Sequence, residues 1–397
     1  MTAISKVRAR RTRTMLVATA VVVASLLGLL YTGVKALARY QGARNTVKPS
    51  IVVPETPIGM LATVDERNTL TSVTVFALRP AGAPGGSVVS VPVSADATSG
   101  AGEQPLPLTQ AYEEEGEDGL VPAVEAALGI TIDVWAVADP TAFESLLQPL
   151  EPFAVTLQRS VETLLDGKNV PLYAPGDFSM SAFQLAKVVN ARAEDQRESA
   201  RRSAIQAVWQ AIVARIGTGL QTVDQGGDPV TFEQLFSRLI SGPVLERELA
   251  IAPSTAIPNV DADVLDWADT VFVFASIAPA SMTNPAPGLV FRIEAPAGYD
   301  DKVMHVVRSL LYLGNNVQSI STVGPARETT GLLLYDEGLT TSAEDYEELF
   351  GPTDIEVVDA RVQGVDVVIQ LGADYLDSQD PNMTTMPSTT TTTTIPE

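Results

Sequence analysis

The apolar positions fall into several distinct patterns. Met15 to Val34 is an uninterrupted run of 20 residues without a charge, rich in Val, Leu and Ala. At about 1.5 Å rise per residue it matches the ~30 Å hydrocarbon core of a bilayer and predicts a transmembrane helix over 15–34. The rival reading is a cleaved signal peptide, since Ala36-Leu37-Ala38 has the form of a cleavage site. The run is longer than the usual h-region of roughly 7–15 residues. Either reading puts the bulk of the chain outside the cytoplasm.

Beyond residue 58 the periods change. Leu70 to Leu78 is a β-rich run ended by Arg79-Pro80, and Ser87 to Val93 follows a Gly/Pro turn, so the two predict a hairpin. Leu120 to Leu128 has helical spacing and a stop at Gly129; Thr131 to Val137 reads as a strand and Thr141 to Leu147 as a short helix. Ser181 to Ile216 reads as one long helical stretch, with Leu185, Val188, Ile205, Val208, Trp209 and Ile212 on its apolar positions. Phe232 to Ile240 is amphipathic, whereas Val264 to Ile277 fits a helix or a strand. From Gly288 the pattern is strand (289–293), helix (299–313), strands (317–323 and 331–335), helix (342–350) and strand (365–371). This order predicts an α/β fold, an α/β/α layered domain with a mixed sheet, followed by a second, smaller α/β domain.

The segments are a basic N-terminus (1–14), the span (15–34), a stalk (35–58), a first domain (59–250), a connection (251–287), a second domain (288–376) and a Thr-rich tail (377–397). The tail holds the unbroken run Thr389–Thr394, a low-complexity composition of the disordered kind. Asn382-Met383-Thr384 fits the N-glycosylation sequon.

Charge sharpens this layout. The formal net charge is −22, yet residues 1–54 contain no acid and nine bases, leaving +9 on the head and −31 on the body. Five of those bases precede the span, which favours a cytoplasmic N-terminus and an extracytoplasmic body. A body this acidic repels nucleic-acid backbones, so no nucleic-acid partner is expected. There is no Cys, which excludes Cys nucleophiles and thiolate metal sites, and a single His, His305, which excludes multi-His sites. His305 is expected to pack, partly buried, on a helix of the second domain. The cluster Glu113-Glu114-Glu115, Glu117 and Asp118 lacks the alternating spacing of a calcium loop and reads as a solvated acidic stretch.

Several stretches resemble the LytR-CpsA-Psr family of cell-envelope proteins. Gly129-Ile130-Thr131-Ile132-Asp133-Val134-Trp135 followed by Phe143 to Leu147 is similar to that family's G-I-x-I-D-x-Y stretch, and the hairpin at 73–92 sits where the family has its first hairpin. Asp366 to Tyr375 resembles the closing strand of the small LytR C-terminal-type domain. The resemblance implies a membrane-anchored protein outside the cytoplasm. Active members transfer a glycopolymer from a polyprenyl-pyrophosphate carrier to peptidoglycan. Such chemistry requires arginines for the pyrophosphate, carboxylates for Mg²⁺ and an apolar pocket for the lipid.

This chain departs from the family at the reacting positions. Thr71 stands where the family has an acid, and Pro92 is followed by Val93-Ser94-Ala95 instead of Arg-Asp-Thr. Asp96, two positions late, rescues a metal ligand only through a local shift. The helical arginine motif is partly kept: Arg192, Asp195 and Arg201 fit, and Glu198 replaces an arginine. Arg192, Arg201 and Arg202 are the candidate phosphate-binding residues, with Asp195 behind them; the competing reading is a charged helix face with Glu198 and Arg202 paired at i, i+4. No catalytic residue, metal ligand or cofactor is expected. The favoured reading is a degenerate, non-catalytic binding, scaffold or regulatory module in cell-wall assembly, with polyprenyl-linked glycopolymer or wall components as partners. The alternative is an active, Mg²⁺-dependent phosphotransferase.

Overall fold

The computed structural model describes residues 50–98, 104–220, 228–252, 261–283, 288–340, 343 and 346–378. Residues 52–358 and 362–378 lie in one unit; Ser50, Ile51 and 359–361 lie in another. Among the described residues no helix is long and apolar enough to cross a membrane, and Met15–Val34, the tail beyond Ser378 and the sequon at Asn382 lie outside them.

The first sheet is built around β1 (Ile58–Val64), β2 (Leu70–Leu78) and β3 (Gly86–Val91). After β3 come α1 (Leu108–Glu115), α2 (Glu117–Leu128), β4 (Val134–Ala138) and α3 (Pro140–Leu147). Two small antiparallel pairs follow, β5 (Phe153–Leu157) with β8 (Gly176–Met180) and β6 (Val161–Leu165) with β7 (Lys168–Tyr173). Then come α4 (Ala182–Asn190), α5 (Glu198–Ile216), α6 (Phe232–Ile240) and β9 (Val244–Glu248). The strand order is β9-β3-β2-β1-β4, with β1, β2 and β3 antiparallel and both edge strands parallel to their neighbours. The hairpin expected from 70–93 is β2–β3, paired Val73 with Val91 and Leu78 with Gly86.

Central strands covered on both faces read as continuous apolar runs, and β1 to β3 are buried along their whole length. Leu61, Phe76, Leu78 and Val88 meet α3 to α6 on one face; Met60, Val73, Val75 and Val89 meet α1 and α2 on the other. The result is the expected three-layer α/β/α arrangement. Strand β1 carries Gly59, where an added Cβ would lie 2.7 Å from Leu235 Cδ2, so a side chain there would have to displace the buried Leu235 of α6.

The second sheet contains β10 (Val290–Pro296), β11 (Asn316–Val323), β12 (Gly331–Leu334), β13 (Asp354–Val357) and β14 (Val367–Gln370), in the order β11-β10-β14-β12-β13. Only the β12–β14 pairing is antiparallel. A helix over Asp300–Tyr312 packs Val303, Val306, Val307 and Leu310 on this sheet, and His305 on the same helix is exposed, not partly buried.

Two elements differ from the sequence pattern. The stretch expected as one helix over 181–216 is two, α4 and α5, broken at 191–197. Asp195 adopts a left-handed backbone there (φ 57°), and Leu164 N–H bonds Arg192 O at 2.9 Å. The ambiguous run near 264–277 contains a helix, α7 (Trp267–Ile277), capped by the Asp266 side chain. Val273 and Phe274 of α7 enter the first core, while Val271 and Ala275 enter the second. A helix apolar all round is buried on several sides and shows no amphipathic period, which is why its type was open. Residues 251–287, read as a connection, thus hold an element that both cores share.

Two outcomes follow from this packing. A fragment of residues 261–378 should unfold cooperatively in denaturant, whereas 288–378, deprived of Val271 and Ala275, should show no cooperative transition; equal transitions would mean α7 is dispensable to the second core. On the edge strand β9, burial, then Glu248 beside it, pushes the Glu246 carboxyl from its usual 4.5 up to about 7. The folded state therefore holds its proton more tightly than the unfolded chain, and stability falls as pH rises from about 4.5 to about 7. Glu246→Gln should melt with wild type near pH 4.5 and above it at pH 8; a pH-independent difference would contradict this.

Candidate functional site

Seven residues separate the end of α4 from the start of α5, and the first turn of α5 brings Arg201 towards Arg192 in that break. The apolar stripe of α5 runs Ile205, Val208, Trp209, Ile212 and Ile216, and Arg201 lies four residues before Ile205 on the same stripe. Arg201 is consequently buried, at 4 % exposure. Its Nε donates to Ala191 O at 3.0 Å, and its Nη2 donates to Val189 O at 2.6 Å and to Thr71 O at 3.3 Å. Its Nη1 meets Glu198 Oε2 at 2.5 Å. A cation among the last carbonyls of a helix is favourable, because those carbonyls have no intrahelical partner and carry the negative end of the dipole. Burial pushes the Arg201 guanidinium below its usual range, and the Glu198 charge opposes that shift.

Glu198 also pairs with Arg192, through its other oxygen. The carboxylate thus bridges Arg192 and Arg201, not Arg202 as the i, i+4 reading had it. Arg202 turns away and donates to Leu249 O at the end of β9. Asp195 sits exposed in the break between α4 and α5. So the structure gathers Arg192 and Arg201 around Glu198, and leaves Arg202 and Asp195 outside that pair.

The positions expected to carry acids are neutral and satisfied. Thr71 Oγ1 lies 2.8 Å from Asn190 Oδ1 and 2.8 Å from Thr63 Oγ1, which in turn lies 2.7 Å from Ser72 Oγ. Ser94 Oγ donates to Asp263 Oδ2 at 2.6 Å. Asp96 accepts from Thr98 N–H at 2.9 Å and Leu106 N–H at 3.0 Å, closing its own turn. Two acids that motif reading missed do approach. Asp263 reaches Ser94, and Asp261 accepts the Glu198 N–H at 2.8 Å at the start of α5. They come from a segment 169 residues beyond Ser94, with no local pattern to announce them.

Among the described residues no three His, Asp or Glu side chains gather as a metal site. Mg²⁺ wants several hard oxygen ligands in octahedral array, and Thr71, Ser94 and the committed carboxylates around them do not fit it. The acidic stretch at 113–118 splits between the end of α1 and the first turn of α2, where Glu117 accepts from Trp135 Nε1 at 3.2 Å.

The volume under α5 is filled. Trp209 packs edge-on against Phe76 at 5.5 Å and Phe143 at 6.3 Å, and Phe76 meets Phe232 at 5.7 Å and Phe236 at 6.1 Å. The depressions beside Arg201 (Leu157, Arg159, Gln196) and beside Arg202 (Ser90, Ser94, Ser199) each have room for about one or two waters.

No family model matches the chain, and no curated protein matches it. Solved structures of similar shape include TagV of B. subtilis, 14% identical over 55% of this chain and 94% of that one, with a TM-score of 0.40. TagT bound to LIIa-WTA is 18% identical over 55% of this chain and 88% of that one, with a TM-score of 0.40. A transcriptional regulator from Enterococcus faecalis is 15% identical over 55% and 84%, with a TM-score of 0.39. TagV and TagT are LytR-CpsA-Psr proteins, the family whose motifs this sequence resembles.

Proposed function

We propose that this protein is a non-catalytic member of the LytR-CpsA-Psr family. It is anchored by Met15–Val34 with its N-terminus in the cytoplasm, and it serves outside the membrane as a binding, scaffold or regulatory module in cell-wall assembly. The observation that carries the reading is Arg201. A guanidinium that donates to three backbone carbonyls and one carboxylate at 4 % exposure has no face left for a substrate phosphate. Thr71 and Ser94 add to it, since neither is a metal-binding carboxylate. The aromatic packing of Trp209, Phe76 and Phe143 fills the space under α5 and leaves no room for a lipid chain there.

The partners proposed are polyprenyl-linked glycopolymer or wall components, met at the surface and not in an interior tunnel. A wall-polymer partner is suggested by the neighbour described as bound to LIIa-WTA. The rival, an active phosphotransferase, would need Asp263 to leave Ser94 and Arg201 to leave its carbonyls.

The full chain, purified in detergent with Mg²⁺ and a polyprenyl-pyrophosphate analogue, should release no phosphate or pyrophosphate above a protein-free control. Turnover that disappears in Arg192→Ala and Arg201→Ala would overturn the reading.

A further inference from the structure

We infer that Glu198 is an internal counter-anion, whose carboxylate occupies the place between the Arg192 and Arg201 guanidinium groups that a phosphate oxyanion would otherwise take. The inference rests on the reading of a silenced site and explains how that site is closed.

One oxygen of Glu198 meets Arg192 and the other meets Arg201. Carboxylates and phosphates both accept charge-assisted, bidentate hydrogen bonds from guanidinium groups, so they compete for the same donors. Arg201 is fixed from behind by the carbonyls of Thr71, Val189 and Ala191, which aims Nη1 at Glu198. Arg192 approaches from the surface, its side chain 35% exposed, while that of Glu198 is 9% exposed. Asp261 holds the Glu198 backbone N–H. The small depression beside Glu198 is lined by Ser90, Ser94, Ser199 and Arg202, of which Ser94 and Arg202 are already bonded to Asp263 and to Leu249 O. Removing the carboxylate would leave a buried cation short of a partner, an expensive state that an exogenous oxyanion of the right size would relieve.

The test is chemical rescue. The melting temperature of the full chain is followed through tryptophan fluorescence with inorganic pyrophosphate, against sodium chloride at matched ionic strength. Wild type should not respond. Glu198→Ala should melt lower than wild type and regain several degrees with millimolar pyrophosphate, and Arg192→Ala in that background should abolish the gain. A wild-type response equal to that of the variant would show that Glu198 closes nothing. A folded Glu198→Ala without a response would show that the carboxylate fills no anion position. If the alanine variant does not fold, Glu198→Gln, which keeps the shape and drops the charge, is measured by radiolabelled pyrophosphate binding. Binding above wild type supports the inference, and binding equal to wild type overturns it. Turnover by wild type would sink the reading of function, whereas an unresponsive variant sinks this inference alone.

Discussion

One buried guanidinium ties the site region together. Arg201 sits at the head of the apolar stripe of α5 and gathers the end of α4, the start of β2 and the carboxylate of Glu198 around itself. Each contact answers a local need. The last carbonyls of α4 lack helical partners, and a cation buried at 4 % exposure requires acceptors on every side. Because α5 is pinned there, Trp209, about two turns further along the same face, meets Phe76 and Phe143, and the layer between helices and sheet closes. Removing one partner of such a buried pair typically costs about 3–5 kcal/mol, most of it the exposure of the other charge to a dry interior.

The same tie shapes the chemistry. Metal-assisted phosphoryl chemistry needs carboxylates held apart from other partners and arginines with donors to spare. Here the hydroxyls of Thr63, Thr71 and Ser72 satisfy one another and Asn190. The one carboxylate between the arginines faces them and offers no coordination to a cation. The hydroxyl bonds tie the neutral side chains to one another and to Asn190.

Much of this was legible from residues. The β2–β3 hairpin followed from its β-branched runs and Gly/Pro turn, and the loss of acids at Thr71 and Ser94 followed from motif positions. The burial of Arg201 was not read: the sequence left it a phosphate ligand or part of a charged helix face, and the fold puts it on the buried stripe of Ile205. Other features were not local. The break between α4 and α5 depends on tertiary contacts, such as that of Leu164 with Arg192, and on a left-handed Asp195 that no glycine marks. Strand β1 escaped because its run Ile58-Gly59-Met60-Leu61-Ala62-Thr63-Val64 follows a Pro-containing stretch and is buried on both faces, without alternation. Asp261 and Asp263 escaped because they reach the site from a segment distant in sequence. The double burial of α7 erased the period that would have named it.

The most direct test of this account is a double-mutant cycle between Glu198 and Arg201, from the unfolding free energies of wild type, Glu198→Ala, Arg201→Ala and the double variant. A structural tie predicts a favourable coupling of about 1–3 kcal/mol, with the double variant less destabilised than the sum of the single ones. Additivity within about 0.5 kcal/mol would contradict it and would mean that the two charges are held in place by their surroundings and not by each other.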